Sequence, residues 1–385
     1  MPYSAGPNIA ARPNLVFEYD LGDVQNSYKG EPTTNLVNPS WTAWSVDGSG
    51  QGNIGTRTII SPYYCQIVDN NANTRQSIYV EGISASTTYT FSVQYRSIAG
   101  APTLRFQIQA YNGGSYISTM SFATTAQLGI VNNSEWQTAY ITLTTPANTN
   151  RILWFMQDGD DYTTYTHAFE LKNPQVEQKS HPTPFVVGTR SNTQGLLDIS
   201  GYNRTIDLAN MSFNSSAQMI FDGTDDYIPS IGTAVIPAGS VPYTVSVWVN
   251  RGRNNVGYEE LLAQWTNANS GNSFYFGFDG SNVRFSDSWY SVSVTGAGNT
   301  NVWMNLVGVN TGANAYIYLN GALAATKGSA LTYTGTGPFI MGRQGELAGE
   351  YFLGRMNNVQ IYNSALSAQE VLRNYNQLKG RFNLI

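Results

Sequence analysis

Two histidines, one cysteine and 25 acidic side chains are the conventional catalytic equipment of these 385 residues. A histidine triad needs a nucleophile on a strained, exposed turn and a carboxylate that orients the ring. His167 sits in a strand-like stretch and His181 lies between Ser180 and Pro182. No Gly-x-Ser-x-Gly elbow accompanies them, and no Gly-rich loop runs into a helix with a following lysine, as phosphate chemistry requires. Glycoside hydrolysis wants two carboxyls facing each other across the bond, ~5 to 9 Å apart. Glu259 and Glu260 are adjacent, so a strand sends them to opposite faces. Catalytic residues are therefore expected to be none. Asp158, Asp160 and Asp161 form one acidic turn, read as a solvated loop. Asp222, Asp225 and Asp226, in Phe-Asp-Gly-Thr-Asp-Asp, are read as shaping a turn. Calcium is the alternative occupant of both clusters, because hard cations take several oxygens from one loop; no other cofactor is expected.

Aromatic side chains are the remaining candidates for binding, since sugars stack on exposed rings and neutral polar groups read their hydroxyls. Trp41, Trp44, Trp136, Trp154, Trp248 and Trp303 lie in or beside strand patterns and are assigned to the core. Trp265 and the pair Trp289 and Tyr290 sit near Asn/Ser/Gly loops, and Tyr162 and Tyr165 follow the first acidic turn. These five are the ligand-contact candidates, because loops on a rigid scaffold are where binding residues accumulate.

The elements that must position them are strands. Residues 89–95, 104–110, 140–144, 243–249 and 315–319 alternate apolar and polar side chains with a period of two. That pattern gives one face to a core and one to water, as in antiparallel sheets. Asn320-Gly321 between two such runs signals a type I′ hairpin. Many short strands with turn signals read as β-sandwiches or jelly rolls. One helix stands out near the C-terminus. Ser367 and Glu370 make a capping box, Val371, Leu372, Tyr375 and Leu378 share a face, and Gly380 can end it. It is expected to pack on a sandwich edge.

Composition bounds the rest. Only 12% of residues are charged, against roughly 25% in an ordinary domain, and 25 tyrosines with many Asn, Thr, Ser and Gly fill the difference. High aromatic content with low charge excludes disorder. A net charge of −5 argues against a nucleic-acid partner. No stretch reaches the ~18 apolar residues of a membrane span, so no membrane insertion is expected. Cys65 is the single cysteine, so no intrachain disulfide can form. The first residues lack a basic, then apolar, secretory pattern, so synthesis in a cytoplasm is expected.

A first sandwich has expected strands at 76–81, 88–96, 103–111, 115–122, 136–144 and 151–156, closing at 167–171. A proline-bearing stretch, 173–185, follows, and a second sandwich then runs from about residue 195 to 362. The second resembles the concanavalin-A-like, laminin-G-type jelly roll. The resemblance is carried by Leu197-Asp198-Ile199-Ser200-Gly201, Phe221-Asp222-Gly223-Thr224-Asp225-Asp226-Tyr227, the strand from Trp303, and the closing stretch 352–367. The Glu-x-Asp-x-x-Glu pattern of laminarinase-like relatives is absent. The first sandwich resembles a carbohydrate-binding-module jelly roll through Asn38-Pro39-Ser40, Trp44 and the 89–95 strand. Both modules together are similar to structural proteins of tailed bacteriophages, in which a strand like 15–20 opens the laminin-G-like domain. The resemblance implies an all-β chain of two jelly rolls, the first inserted into the second, with a short C-terminal helix. The expected divisions are an N-terminal arm at 1–14, the opening strand at 15–32, the carbohydrate-binding-module-like jelly roll at 33–172, a junction at 173–194, and the laminin-G-like jelly roll with its helix at 195–385. Two tandem domains behind a disordered arm are the alternative. The implied role is a non-enzymatic virion component, of fibre, tail-associated or head-decorating type. Its implied partners are other virion proteins, further copies of itself in a trimer, and a host surface glycan. A glycan hydrolase or lyase, and a bacterial surface adhesin, are the competing functions.

Overall fold

The computed structural model describes residues 14–48, 55–70, 74–158, 166–229, 234–254, 257–264, 273–287, 291–333, 337–345 and 349–384. Apart from Asn14, the expected N-terminal arm lies outside them. The chain divides into two compact units. One is made of residues up to 32, 191–214 and from 218 onward, and the other of 33–190 with 215–217. The second is therefore an insertion in the first.

The inserted unit is a sandwich of two five-stranded antiparallel sheets among the described residues. One has the order Ser45–Gly48, Thr74–Val80, Arg151–Asp158, Leu104–Asn112, Ser115–Ala123. The other runs Gln137–Thr144, Thr88–Ala99, Thr166–Glu177, Tyr64–Asn70, Thr56–Ser61. Alternation decides what enters the core. Phe91, Val93 and Tyr95 point in, with Phe106 and Ile108 opposite. Trp154 is wholly buried, with its ring 5.4 Å from Trp44, 5.5 Å from Phe91 and 5.1 Å from Phe106. Side chains of this size contribute roughly 1.5–3 kcal/mol each on burial. The strands at 45–48, 56–61 and 64–70 are not among those expected from the sequence.

The segment 173–194, expected as a junction, belongs to this unit as far as Arg190. The closing strand continues to Glu177 through Asn173, whose φ of 58° accompanies a shift of register. Buried polar groups tie the rest down. Asn35 Nδ2 donates to the carbonyls of Pro174 and Val186, and its Oδ1 accepts from Val176 N–H. Glu177 accepts from both Thr33 and Thr183 hydroxyls at 2.8 Å. Prolines deny this stretch an alternating pattern without denying it a place in the fold.

The outer unit packs an eight-stranded sheet on a five-stranded one among the described residues. Leu15–Asp20 is an edge strand of the larger sheet, antiparallel to Leu353–Tyr362, with Phe17 opposite Ile361 and Tyr19 opposite Val359. Phe17 and Tyr19 are fully buried in the shared core with Val245, Val247, Phe276 and Phe285. Asn320 and Gly321 turn the hairpin with φ of 50° and 80°, the left-handed pair that a type I′ turn requires.

The helix Ala368–Leu378 forms with its Ser367–Glu370 capping box intact. It differs from expectation in three ways. It lies on the outer face of the large sheet rather than an edge, because Trp248, on a central strand, presents its indole outward. That ring stacks on Tyr375 at 5.7 Å and on Phe382 at 4.2 Å. Gly380 does not end the helix. The chain tightens into a 3-10 turn, Lys379–Phe382, and Asn383 at φ 56° terminates it. Leu372 stays 47% exposed, while Asn374 takes a buried place on the packing face.

Candidate functional site

Trp265, Trp289, Tyr290, Tyr162 and Tyr165 all lie outside the described residues, as do Asp160 and Asp161. Asp158 departs from a solvated loop. It ends the strand Arg151–Asp158 and is buried, with Oδ1 accepting from Thr103 N–H at 3.0 Å and Oδ2 paired with His167 Nδ1. His181 is also buried, beside Ser180 Oγ at 3.4 Å.

Asp222, Asp225 and Asp226 bring one carboxylate oxygen each within 4.8 Å of the others. Asp222 Oδ1 accepts three backbone N–H groups, from Thr224 at 2.8 Å, Asp225 at 3.1 Å and Asp226 at 3.3 Å. Asp226 Oδ2 accepts from Asp222 N–H at 2.7 Å. Burial pushes Asp222 upward, but these donors together hold it below its ordinary value. Burial keeps Asp226 above its own, against hydrogen bonds from Ser212 and Asp222. The hydrogen bonds build the turn around Gly223. The same three carboxylates are the residues that could hold a hard cation.

The inserted unit gathers a different group on the solvent side of its second sheet. In the strand Gln137–Thr144 the odd positions Ala139, Ile141 and Leu143 face the core, so Trp136, Thr138 and Tyr140 share the outer face. Trp136 is half-buried there, which corrects its assignment to the core. Gln94 pairs with Thr138 on one side and Lys172 on the other, and Lys172 pairs with Tyr64. Arg96 pairs with Glu170, and their side chains form an ion pair. Around the indole stand Lys172 Nζ at 3.9 Å, the Arg96 guanidinium at 4.8 Å and the Tyr64 ring, edge-on, at 5.6 Å. Partial burial and the neighbouring Arg96 lower the Lys172 ammonium, with Glu170 acting against them. The Glu170 acceptor raises Arg96.

Beside this aromatic platform the face opens into a cleft of about 240 Å³. Ser92, Gln94, Thr138 and Asn173 supply hydroxyls and amides, and Pro182, Pro184 and Phe185 form an apolar wall. Phe185 is braced by Tyr63 at 5.6 Å, and Asn173 Nδ2 donates to Gln94 Oε1 at 3.2 Å. Gln175 below is already committed to Glu177, Thr183 and Val186. None of the described lining residues is a carboxylate, histidine or cysteine. The cleft offers paired amides and hydroxyls beside an apolar wall, which suits a neutral polyhydroxylated ligand. Strand parity around residue 139 ties Trp136 to the face of Thr138 and Tyr140, but which face meets water is set by the sheet packed opposite. The cleft wall, some 90 residues away from Ser92, left no signal in the sequence.

The outer unit holds a carboxyl pair. Glu260 is fully buried and pushed up to about 8, by burial first, against the pull of Arg284, and with Glu350 adding to the rise. Burial raises Glu350 as well. Arg284 pairs with Glu260 and lies over the rings of Tyr258 at 4.3 Å and Tyr275 at 5.4 Å. Glu260 N–H donates to the carbonyl of Glu350 at 3.0 Å. Gly277, opposite, leaves the space, since a Cβ there would sit 2.1 Å from Glu259 O and 3.0 Å from Glu260 Oε2. The neighbouring Glu259 faces inward to Arg251 and Arg253. Adjacent residues thus point to opposite faces, and the second acid comes from a distant loop.

Residues 222–372 match the family described as the Concanavalin A-like lectin/glucanases superfamily. No curated protein matches the chain. Among solved structures, the binding domain of botulinum neurotoxin serotype D aligns at 16% identity and TM-score 0.37 over 49% of each chain. That of serotype G aligns at 19% and 0.38, over 47% of this chain and 48% of the other. The alignment thus spans about half the length of these toxin binding domains. Domain 4 of AbnA, a GH43 extracellular arabinanase from Geobacillus stearothermophilus solved with arabinotriose, aligns at 17% and 0.36, over 47% of this chain and 91% of its own.

Proposed function

We propose that this chain, built around a concanavalin A-like, laminin-G-type domain, is a non-enzymatic glycan-binding protein whose inserted sandwich carries the binding face. One observation supports this above the others. Trp136 lies on a solvent-facing sheet surface that continues into a cleft lined by Ser92, Gln94, Thr138 and Asn173. Rings pack against the apolar C–H faces of sugars, and convergent amides and hydroxyls fix orientation. Trp136→Ala and the double change Gln94→Ala with Asn173→Ala should each weaken glycan binding at least about tenfold, the equivalent of ~1.4 kcal/mol. Titration calorimetry on a ligand found by glycan array would measure this. Unchanged affinity in both variants would move the site elsewhere.

The finer role proposed is a tailed-phage virion component that presents this face to a host surface glycan. The module resemblance in the sequence supports it, and mass spectrometry of purified particles is its test. Trimeric assembly is part of the same proposal, and a monomer by light scattering would refute it. Glycan cleavage is the competing reading, favoured by the Glu260–Glu350 pair. The accessible surface weighs against it, since Glu260 is fully buried and already held by Arg284. Oligosaccharides released from capsule or lipopolysaccharide, and abolished by Glu260→Gln, would reverse the assignment.

A further inference from the structure

The outer unit has a second cavity, of about 140 Å³, at the end of the large sheet beyond the C-terminal helix. Trp303 and Arg355 line it from neighbouring positions across that sheet, since both pair with Asn250 on the strand between them. The strand pattern of the sequence places Trp303 in the core. It is instead half-buried on the outer face, because Met304 and Leu306 take the core side. One contact of its indole is Phe382, at 4.7 Å.

Two unmatched groups meet there. The Arg355 guanidinium lies 5.5 Å from the Trp303 ring centre and has no carboxylate partner among the described residues. Four other arginines of this unit are held by acids: Arg251 and Arg253 by Glu259, Arg284 by Glu260, and Arg381 by Asp20. Asn357 Oδ1 is the second group, an acceptor cut off from solvent with no donor. Leaving such an acceptor unpaired in the interior is unfavourable, and a hydroxyl donor would satisfy it. Tyr28 and Gln218 add polar groups and Met219 an apolar patch. The volume suits one inserted sugar ring and not an oligosaccharide.

We propose that this cavity binds a single carboxylated pyranose, a uronate or sialic-acid-type residue. Its carboxylate meets Arg355, a hydroxyl donates to Asn357 Oδ1, and its C–H face lies on Trp303. A planar guanidinium recognises a carboxylate through two parallel hydrogen bonds. The site shares no residue with the Trp136 face and stands without it.

The test is titration of the full-length protein, followed by tryptophan fluorescence and calorimetry. The probes are methyl glucuronide, a methyl sialoside, methyl glucoside and inorganic phosphate. At least one acidic glycoside should bind about tenfold or more tighter than glucoside and phosphate. Arg355→Gln should remove that preference and Arg355→Lys should restore part of it. Asn357→Asp should weaken the acidic glycoside by placing a second negative charge beside it. Trp136→Ala should change none of this, so failure here and failure of the inserted-unit site are separable. No measurable binding of either acidic glycoside would overturn the proposal. So would equal binding of glucoside or phosphate, or a preference that survives Arg355→Gln in a protein with unchanged melting.

Discussion

Glu260 shows how far surroundings can move a side chain from its usual behaviour. With no solvent contact, and with Glu350 near, it holds its proton up to about pH 8 although Arg284 attracts the charged form. One carboxyl proton lets two acids and one arginine coexist; a second negative charge would face a single cation. The linkage has a definite sign. The folded value is raised above the ordinary 4.5, so the folded state binds more protons than the unfolded one in between. The stabilising contribution is complete below about pH 4.5 and lost as pH rises to about 8. Hydrogen exchange of the amides in Tyr258–Gln264 should therefore quicken beyond its intrinsic pH dependence across that window. Glu260→Gln, which keeps the shape and removes the titration, should flatten the excess. An excess of equal size in the variant would put its source elsewhere.

At the scale of elements, the helix Ala368–Leu378 is local in origin and tertiary in purpose. Ser367 Oγ accepts from Glu370 N–H at 3.3 Å, and Glu370 returns a carboxylate to Ser367 N–H at 2.8 Å. Removing such a cap costs about 1 kcal/mol. An isolated helix of this length is marginal in water, so most of its stability comes from the sheet face it covers. Ser367→Ala should lower the stability of the outer unit by about 1 kcal/mol in urea denaturation, because the Trp248, Tyr375 and Phe382 stack remains. Trp248→Ala should cost more, about 3–5 kcal/mol. The reverse order would mean that capping, not packing, holds the helix. The capping box and the Asn320-Gly321 turn were legible because each is specified within four residues.

At the scale of the molecule, the insertion enters and leaves at one point. Gly195 O accepts from Lys29 N–H at 2.9 Å, and Thr33–Thr34 pairs with Thr189–Arg190. Gly195 has to be glycine for this, since a Cβ would lie 2.7 Å from Gly30 O. Replacing 33–190 by a short Gly-Ser turn should leave the outer unit cooperatively folded, because none of its strands is cut. The segment 33–190 expressed alone should also fold, having a core of its own. Deleting residues 1–20 should be far more damaging, because it removes Phe17 and Tyr19 from the core. Circular dichroism melts of the three proteins decide the matter. A cooperative, undiminished melt after deletion of 1–20, or none after excision, would contradict the inserted arrangement.

Much was settled before any tertiary contact. Alternation with a period of two and short turn signals made the chain antiparallel β. These are patterns of side-chain direction and turn chemistry, written over a few residues each. The insertion, one of two arrangements the sequence left open, was decided by the pairing of 15–20 with Leu353–Tyr362. Which face of a strand meets water is another matter. Trp136 and Trp303 have the same sequence character as Trp154, yet they face outward, because the sheet packed opposite takes the other parity. The cleft beside Trp136 joins Ser92 to Pro184, and the proton on Glu260 depends on Glu350. Such sites exist only where distant segments meet, since burial and charge proximity act through space and leave no mark on neighbouring residues.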